Sequence, residues 1–219
     1  MGRCAEPPER SVERDEALAL ALPQVPALGW GWRAVEEGLR GAGPREGGRG
    51  EGARLEAELL FPGGAVDMVV AFIDRADRAM GAIAAGPGFA ELRTTAKVRA
   101  LVLGRLALLG PHREAVRRSV AVLAMPGHAR VAAGTLARTV DEIWHLAGDG
   151  SADFSWYTKR AILAGVYTAT LLYWLREEDD EAVAAFLGRR LQGVGKIGKL
   201  RGQIEGRLAG LRERLRPAA

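Results

Sequence analysis

The chain has 219 residues, 48% hydrophobic and 26% charged, which is enough to bury the core of one domain of ordinary size. Its longest uncharged apolar run has fifteen residues, from Ala161 to Leu175, which is short for a membrane span and typical of a buried helix. The single cysteine, Cys4, excludes intramolecular disulfides and cysteine-based zinc sites.

The net charge of +4 is unevenly distributed along the chain. The segment 189–216 holds nine Lys and Arg against two acids, whereas the rest of the chain holds 22 basic and 25 acidic residues. A mildly acidic body lacks the basic footprint that nucleic-acid binding requires. The basic segment instead predicts contact with something anionic, such as a membrane surface.

Apolar residues recur at helical spacing and strand-like alternation is scarce, so we predict an all-α protein. We expect residues 1–10 to be disordered. The first helix is predicted over Ser11–Leu22, with Ser11 as N-cap, the second over 33–40 and the third over Ala53–Leu60. The glycine-rich stretch Gly41–Gly52 between the last two is predicted to be a loop.

Longer helices should follow and form a larger helical body. They are predicted over Ala65–Ile83, Phe89–Leu109, Arg113–Ala124, Ala129–Leu146 and Ser155–Leu175. A further helix should begin in the acidic run Glu177–Glu181, because negative charge favours a helix N-terminus.

The C-terminal segment 191–219 has the pattern of a basic amphipathic helix. Its apolar residues are spaced by three or four and fall, from Ile197 onward, in a stripe about 80° wide. One interpretation is a helix packed on the domain or in a dimer; the other is a helix lying on a membrane. The predicted membrane-contacting residues are Ile197, Leu200, Arg201, Ile204, Leu208, Leu211, Arg212 and Leu215.

The N-terminal sequence bears on localisation. Its first sixteen residues include five acids and no apolar stretch, unlike a signal or transit peptide. We therefore expect a cytoplasmic protein, peripheral on an inner membrane of bacterial type.

No residue pattern predicts catalysis. Glu142 and His145 form one Glu-x-x-His pair, but a di-iron carboxylate site needs a second pair and neither His112 nor His128 completes one. Nucleophile-elbow, phosphate-loop and dinucleotide motifs are lacking. We predict a protein that is not an enzyme and has neither metal nor cofactor.

Aromatic and charged residues are concentrated between Asp141 and Ala161, around a Gly-Asp-Gly turn. Two helices meeting at this turn would bring Trp144, Tyr157 and Arg160 close together. This is either a well-packed helical corner or a recognition surface, since Trp, Tyr and Arg are common interface anchors.

The segment WHLAGDGSADFSWYTKRAILAGVY in this region resembles the hallmark of the coenzyme Q (ubiquinone) biosynthesis accessory proteins with a TetR-like fold. ALPQVPALGWGWRAVEEGL and LLFPGGAVDMVVAFIDRAD are similar to earlier parts of the same family, so the resemblance covers roughly residues 15–200. Members of this family bind lipid and are partners of the di-iron demethoxyubiquinone hydroxylase.

The resemblance implies three short N-terminal helices, a larger helical ligand-binding body and the C-terminal amphipathic helix. Residues 11–62 would be a degenerate helix-turn-helix-like bundle and 63–190 the lipid-binding body. It implies a homodimer that binds isoprenoid quinone, or a phospholipid, and contacts membrane lipids. The hallmark places Asp153, Trp156, Tyr157 and Arg160 on the hydroxylase-binding surface, and the preceding helix adds Ile143 and Trp144.

The residues lining a lipid cavity cannot be transferred by motif. We take them from the apolar faces of the long helices: Phe72, Leu101, Leu108, Leu136, Val140, Val166 and Leu171.

DNA binding, which TetR-like regulators perform, is not expected here. The stretch Gly41–Gly52 is too long for a helix-turn-helix turn, and the helix after it carries Glu56 and Glu58, which phosphates would repel. The alternatives to a lipid-binding accessory protein are a ligand-responsive transcriptional regulator and a membrane-surface scaffold with a filled core.

Overall fold

A computed structural model describes residues 8–42, 49–149 and 155–192, and within these ranges the protein contains helices and no strand. In chain order the helices are α1 (Val12–Ala21), α2 (Val25–Leu28), α3 (Trp32–Gly41), α4 (Arg49–Leu60), α5 (Gly64–Ala84), α6 (Thr94–Leu109), α7 (Arg113–Leu123), α8 (Ala129–Leu146) and α9 (Ser155–Trp174). Short 3-10 turns, Gly110–His112 and Pro126–His128, precede α7 and α8. A further helix begins at residue 180 and continues to 192. The all-α prediction is confirmed.

Capping explains where α1 begins. The Ser11 side chain accepts a hydrogen bond from the backbone N–H of Arg14 at 3.1 Å, and Glu13 and Asp15 lie in the first turn. Acids at this end interact favourably with the positive end of the helix dipole. The predicted helix is therefore present, whereas the short helix α2 was not anticipated.

An N-terminal bundle forms where α3 packs against both α1 and α4. Leu18 of α1, Val35 of α3 and Ala57 of α4 are fully buried in it. Gly38 of α3 lies against the backbone of α1: a Cβ atom placed there would be 2.5 Å from the carbonyl carbon of Leu20. The two helices can approach this closely only because residue 38 has no side chain.

The prediction of a loop over Gly41–Gly52 is wrong in part. Its last residues, from Arg49 onward, belong to α4, and residues 43–48 lie outside the described ranges. Glycine lowers helix propensity by only about 1 kcal/mol, and Ala53 and Ala57 bury one face of α4. Packing of that face offsets the weak propensity.

Helix α5 is the centre of the body, with contacts to α1, α6, α7 and α8. Met68, Phe72 and Met80 are buried along it, which agrees with its predicted amphipathic face. The next helix begins at Thr94, not at Phe89 as predicted. Gly88 lies in a turn at φ 76°, the chain continues in turns and a bend to residue 92, and Arg93 is extended at φ −67° and ψ 150°, so α6 begins only at Thr94.

Three acids of α5 are engaged in ion pairs, none of which we anticipated from sequence. These are Asp67 with Arg14 at 2.6 Å, Asp74 with Arg10 at 2.8 Å and Arg78 at 3.0 Å, and Asp77 with Arg105 at 2.8 Å. The last pair is the most deeply buried, with 2% of the Arg105 side chain and 9% of the Asp77 side chain exposed. Thr139 of α8 donates a further hydrogen bond to Asp77 at 2.9 Å.

The chain divides into two compact units, residues 1–164 and 165–219. Helices α1 to α8 and the start of α9 belong to the first unit. Within the second, Tyr173 stacks on Phe186 with ring centroids 4.5 Å apart, and Thr170 donates to the carbonyl of Val166 at 2.7 Å. The predicted disordered residues 1–10 lie mostly, and the basic segment 191–219 almost entirely, outside the described ranges.

In the part of the chain that the structure describes, no single helix is both long and apolar enough to cross a membrane. Two consecutive segments, Thr94–Leu123 and Pro126–Leu146, are long and apolar enough only when they are counted together, and the chain bends by 92° between them.

Candidate functional site

The end of α8 and the start of α9 form what we call the aromatic corner: Trp144, Tyr157, Lys159 and Arg160 with Asp141 and Asp149. One ion pair joins α9 to α8, and a second joins α9 to the turn that follows α8. Lys159 Nζ lies 3.1 Å from Asp149 and 5.9 Å from the centroid of the Trp144 ring, and the Arg160 guanidinium pairs with Asp141. These contacts fix the positions of the side chains around Trp144.

The aromatic corner presents one large side chain to solvent. Tyr157 is 69% exposed, whereas Trp144 is half-buried. The indole Nε1 of Trp144 is itself buried and has no hydrogen-bond partner among the residues that the structure describes. An exposed tyrosine next to ion-paired basic residues suits a binding surface, because its ring supplies contact area and its hydroxyl can donate or accept a hydrogen bond.

Ile143 was predicted to lie on this surface, and that prediction is wrong. The Ile143 side chain is fully buried, on the same face of α8 as Val140 and Thr139. Spacings of three and four along a helix direct these residues to one side, whereas Trp144 projects about 100° away from Ile143. Ile143 is therefore a core residue.

Two other predicted members of the surface cannot be placed. Asp153 lies outside the described ranges, and for Trp156 only the helical backbone at the start of α9 is described. Their assignment to a hydroxylase-binding surface stays a prediction. So does the assignment of Trp144, Tyr157 and Arg160, which the structure brings together.

A second candidate site is a cavity of about 180 Å³ in the first unit, which we call the α5 cavity. Its apolar wall includes Leu22, Phe72, Leu108 and Leu109 with two alanines, Ala76 and Ala79, and its polar groups are Arg75 and His112. It is partly open to solvent, and its lining residue Leu108 is 45% exposed. We did not anticipate Arg75 or His112 from sequence, because a lone charge on an amphipathic helix resembles a solvated residue.

The predicted lipid-lining residues do not all share this cavity. Phe72 and Leu108 line it, and Leu108 is more exposed than a buried lipid site would require. Leu101 and Val140 are buried, and Leu136 is half-buried, but none of these three lines the α5 cavity. Val166 and Leu171 belong to the second unit, where Val166 is buried and Leu171 half-buried.

The predicted membrane-contacting residues, Ile197, Leu200, Arg201, Ile204, Leu208, Leu211, Arg212 and Leu215, all lie outside the described ranges. Among the residues that are described, no group of three or more His, Cys, Asp or Glu side chains could hold a metal ion.

Comparisons with known proteins place this chain among ubiquinone biosynthesis proteins. The COQ9 family model matches residues 129–198, which include the aromatic corner. The chain is 30% identical over 190 residues to the ubiquinone biosynthesis protein coq9, mitochondrial, of Schizosaccharomyces pombe, covering 85% of this chain and 72% of that protein. The COQ9 proteins of Rattus norvegicus and Homo sapiens are each 29% identical over 197 residues, or 86% of this chain.

The chain spans 60% of the length of the rat protein and 59% of the human one. These relatives are named mitochondrial proteins. The prediction of a cytoplasmic protein of bacterial type, peripheral on an inner membrane, is therefore wrong. That prediction relied on the composition of the first sixteen residues, which does not determine the localisation of the protein.

A solved structure supports the fold. The crystal structure of the TetR transcriptional regulator from Nitrosomonas europaea superimposes with a TM-score of 0.64 at 21% identity, covering 83% of this chain and 97% of that one. The TetR-like architecture predicted from sequence is confirmed. By its sequence similarity, the chain belongs to the COQ9 family of ubiquinone biosynthesis proteins.

Proposed function

We propose that the protein is a non-catalytic lipid-binding accessory protein of ubiquinone biosynthesis. It would bind an isoprenoid quinone intermediate and present it to the di-iron demethoxyubiquinone hydroxylase at a membrane surface. The observation that carries this proposal is the aromatic corner, which lies within the segment matched by the COQ9 family model and presents Tyr157 to solvent.

The aromatic corner supports docking of a protein partner in two ways. Its ion pairs, Lys159 with Asp149 and Arg160 with Asp141, hold the side chains around Trp144 before any partner arrives. A surface ordered in advance loses less conformational entropy on binding. Tyr157 then supplies an exposed aromatic anchor of the kind that dominates binding energy at interfaces.

Tyr157→Ala is expected to weaken binding of the hydroxylase by about tenfold or more, because truncating an anchor residue costs at least about 1–2 kcal/mol. Isothermal titration calorimetry with the purified hydroxylase measures this. Val12→Ala is a matched control, since Val12 is also 69% exposed but lies on α1. Equal affinity of the Tyr157 variant and the unaltered protein would contradict docking at the aromatic corner.

Lipid uptake needs more room than the α5 cavity offers. Ligand cavities for drug-sized molecules hold about 300–1,000 Å³, against about 180 Å³ here. We propose that an isoprenoid tail is accommodated when the helices of the body separate, or when a second copy of the chain completes the site in a homodimer. The basic, amphipathic pattern of residues 191–219 supports contact with anionic lipids.

Mass spectrometry of lipid extracted from the native protein tests this part of the proposal. We expect an isoprenoid quinone intermediate or a phospholipid at a fixed ratio to protein, since burying an apolar tail is favourable by about 25 cal/mol per Å². The control is an unrelated soluble protein purified from the same cells. Extracts that hold no more lipid than the control would contradict lipid binding.

The TetR-like fold alone does not support DNA binding. In α4, the helix at the position of the DNA-reading helix, Leu55 and Leu59 are 61% and 72% exposed. Arg54 on the same helix pairs with Glu58 at 2.5 Å, which neutralises its charge locally. An exposed face with two leucines and a neutralised arginine is poorly suited to a phosphate backbone.

A further inference from the structure

The α5 cavity carries an arginine whose charge is not neutralised by the residues around it. Arg75 is half-buried and, among the described residues, makes no ion pair or hydrogen bond. The neighbouring acids of α5 are already engaged: Asp74 with Arg10 and Arg78, and Asp77 with Arg105. No acid is found among the described residues that line the cavity. A partly desolvated guanidinium without a counter-ion favours binding of an anion.

The second polar group, His112, is held beside an aromatic ring. Its imidazole lies edge-on to Phe72, with ring centroids 6.5 Å apart at 82°. Burial, and then the charge of Arg75, lowers the pKa of His112 below its usual value of 6.5. The imidazole is therefore neutral near pH 7, where it can donate one hydrogen bond and accept another.

The size and wall of the cavity indicate an aromatic ligand. An engineered apolar cavity of about 150 Å³ is large enough for benzene, and the α5 cavity holds about 180 Å³. Phe72 is also in contact with Trp30, at a centroid distance of 5.3 Å and an angle of 44°, so its ring is fixed in position. A planar ring could pack on Phe72 and against the leucines of the wall.

We propose that the α5 cavity binds a small aromatic carboxylate of about the size of benzoate, with its ring against Phe72 and its carboxylate on the Arg75 guanidinium. His112 would donate a hydrogen bond to the ligand from the other polar side of the cavity. The opening beside Leu108 lets a charged molecule enter from solvent. Neither the hydroxylase nor an isoprenoid is needed for this binding.

Titration of the full chain with benzoate, followed by nuclear magnetic resonance, tests the site. Trp30 is a local reporter, because its ring contacts Phe72 and its Nε1 donates to the carbonyl of Ala115 at 3.0 Å. Its indole resonance is identified by its loss in Trp30→Phe. We expect this resonance to shift in a saturable way at benzoate concentrations up to about 10 mM, and neutral benzamide to bind at least about tenfold more weakly.

Two variants and a control separate this site from adventitious binding. Arg75→Met should weaken benzoate binding by about tenfold or more through loss of the charge. Ala79→Leu should weaken it by filling the cavity, which Ala79 also lines. Arg99→Met, at an exposed arginine of α6, should leave it unchanged. A Trp30 resonance that never shifts, or an affinity unaffected by Arg75→Met, would overturn the proposal, as would equal binding of benzamide.

Discussion

Asp77→Ala is expected to lower the free energy of unfolding by about 3–5 kcal/mol, because it removes one partner of a buried ion pair. The carboxylate of Asp77 lies 2.8 Å from Arg105 Nε and accepts a hydrogen bond from Thr139 at 2.9 Å. In this variant the Arg105 guanidinium stays in an interior position, 2% exposed, and has lost its ion pair with Asp77. Urea denaturation followed by circular dichroism measures the loss.

Replacing both partners distinguishes the cost of a buried charge from that of a lost packing contact. Asp77→Leu combined with Arg105→Met should recover most of the stability, since apolar side chains of similar volume often replace a buried pair with little penalty. Glu91→Ala, at an exposed acid, serves as the control and should stay within about 0.5 kcal/mol of the unaltered protein. A double variant no more stable than Asp77→Ala would show that the charge is not the cause.

Ile143→Ala is expected to destabilise the protein by about 2–5 kcal/mol, the usual cost of truncating a fully buried isoleucine. Ile143 is 0% exposed and lies beside Val140 on the inward face of α8. Ile143→Val should cost only about 0.5–1.5 kcal/mol, because it removes a single methylene group. Thermal and urea unfolding of the two variants measures this graded loss.

The same variants test the corrected position of Ile143. A core residue should not change the affinity of the folded protein for the hydroxylase, whereas Tyr157→Ala should. Binding is therefore measured at a temperature where Ile143→Val is fully folded. A loss of affinity by Ile143→Val as large as that of Tyr157→Ala would restore Ile143 to the binding surface.

Much of the fold follows from local sequence signals. The bounds of α8, Ala129–Leu146, are those predicted, because Pro126-Gly127 precedes it and Gly148 follows it. Ser11 caps α1, as expected for a serine that precedes apolar residues at helical spacing. The starts of α4 and α6 differ from those predicted. Helix α4 begins within the glycine-rich stretch, where Ala53 and Ala57 are buried, and α6 begins only at Thr94, after extended backbone at Arg93.

Candidate site residues were harder to predict, for a physical reason. Whether a side chain faces the core or solvent depends on how the whole helix is rotated about its axis when it packs on its neighbours. Spacing of Val140, Ile143 and Ala147 by three and four could have assigned Ile143 to the core. No comparable signal exists for Arg75 and His112, which come from different helical segments and meet only through the packing of α5 against α6.

Local sequence patterns did not predict the ion pairs of α5 either. Asp77 and Arg105 are 28 residues apart, and Arg14 reaches Asp67 across 53 residues. Charges on a helix are usually solvated, so sequence alone favours exposure for each of them. Only the arrangement of α1, α5 and α6 makes them partners.

The glycine at position 38 limits how α1 and α3 can move against each other in the N-terminal bundle. Because a Cβ atom there would overlap the backbone of α1, any other residue would force α1 and α3 apart or shift one along the other. Main chain, unlike the end of a flexible side chain, cannot rotate out of the way. The separation of α1 and α3 at this crossing is therefore set by main chain against main chain, in a bundle where Leu18 and Val35 are fully buried.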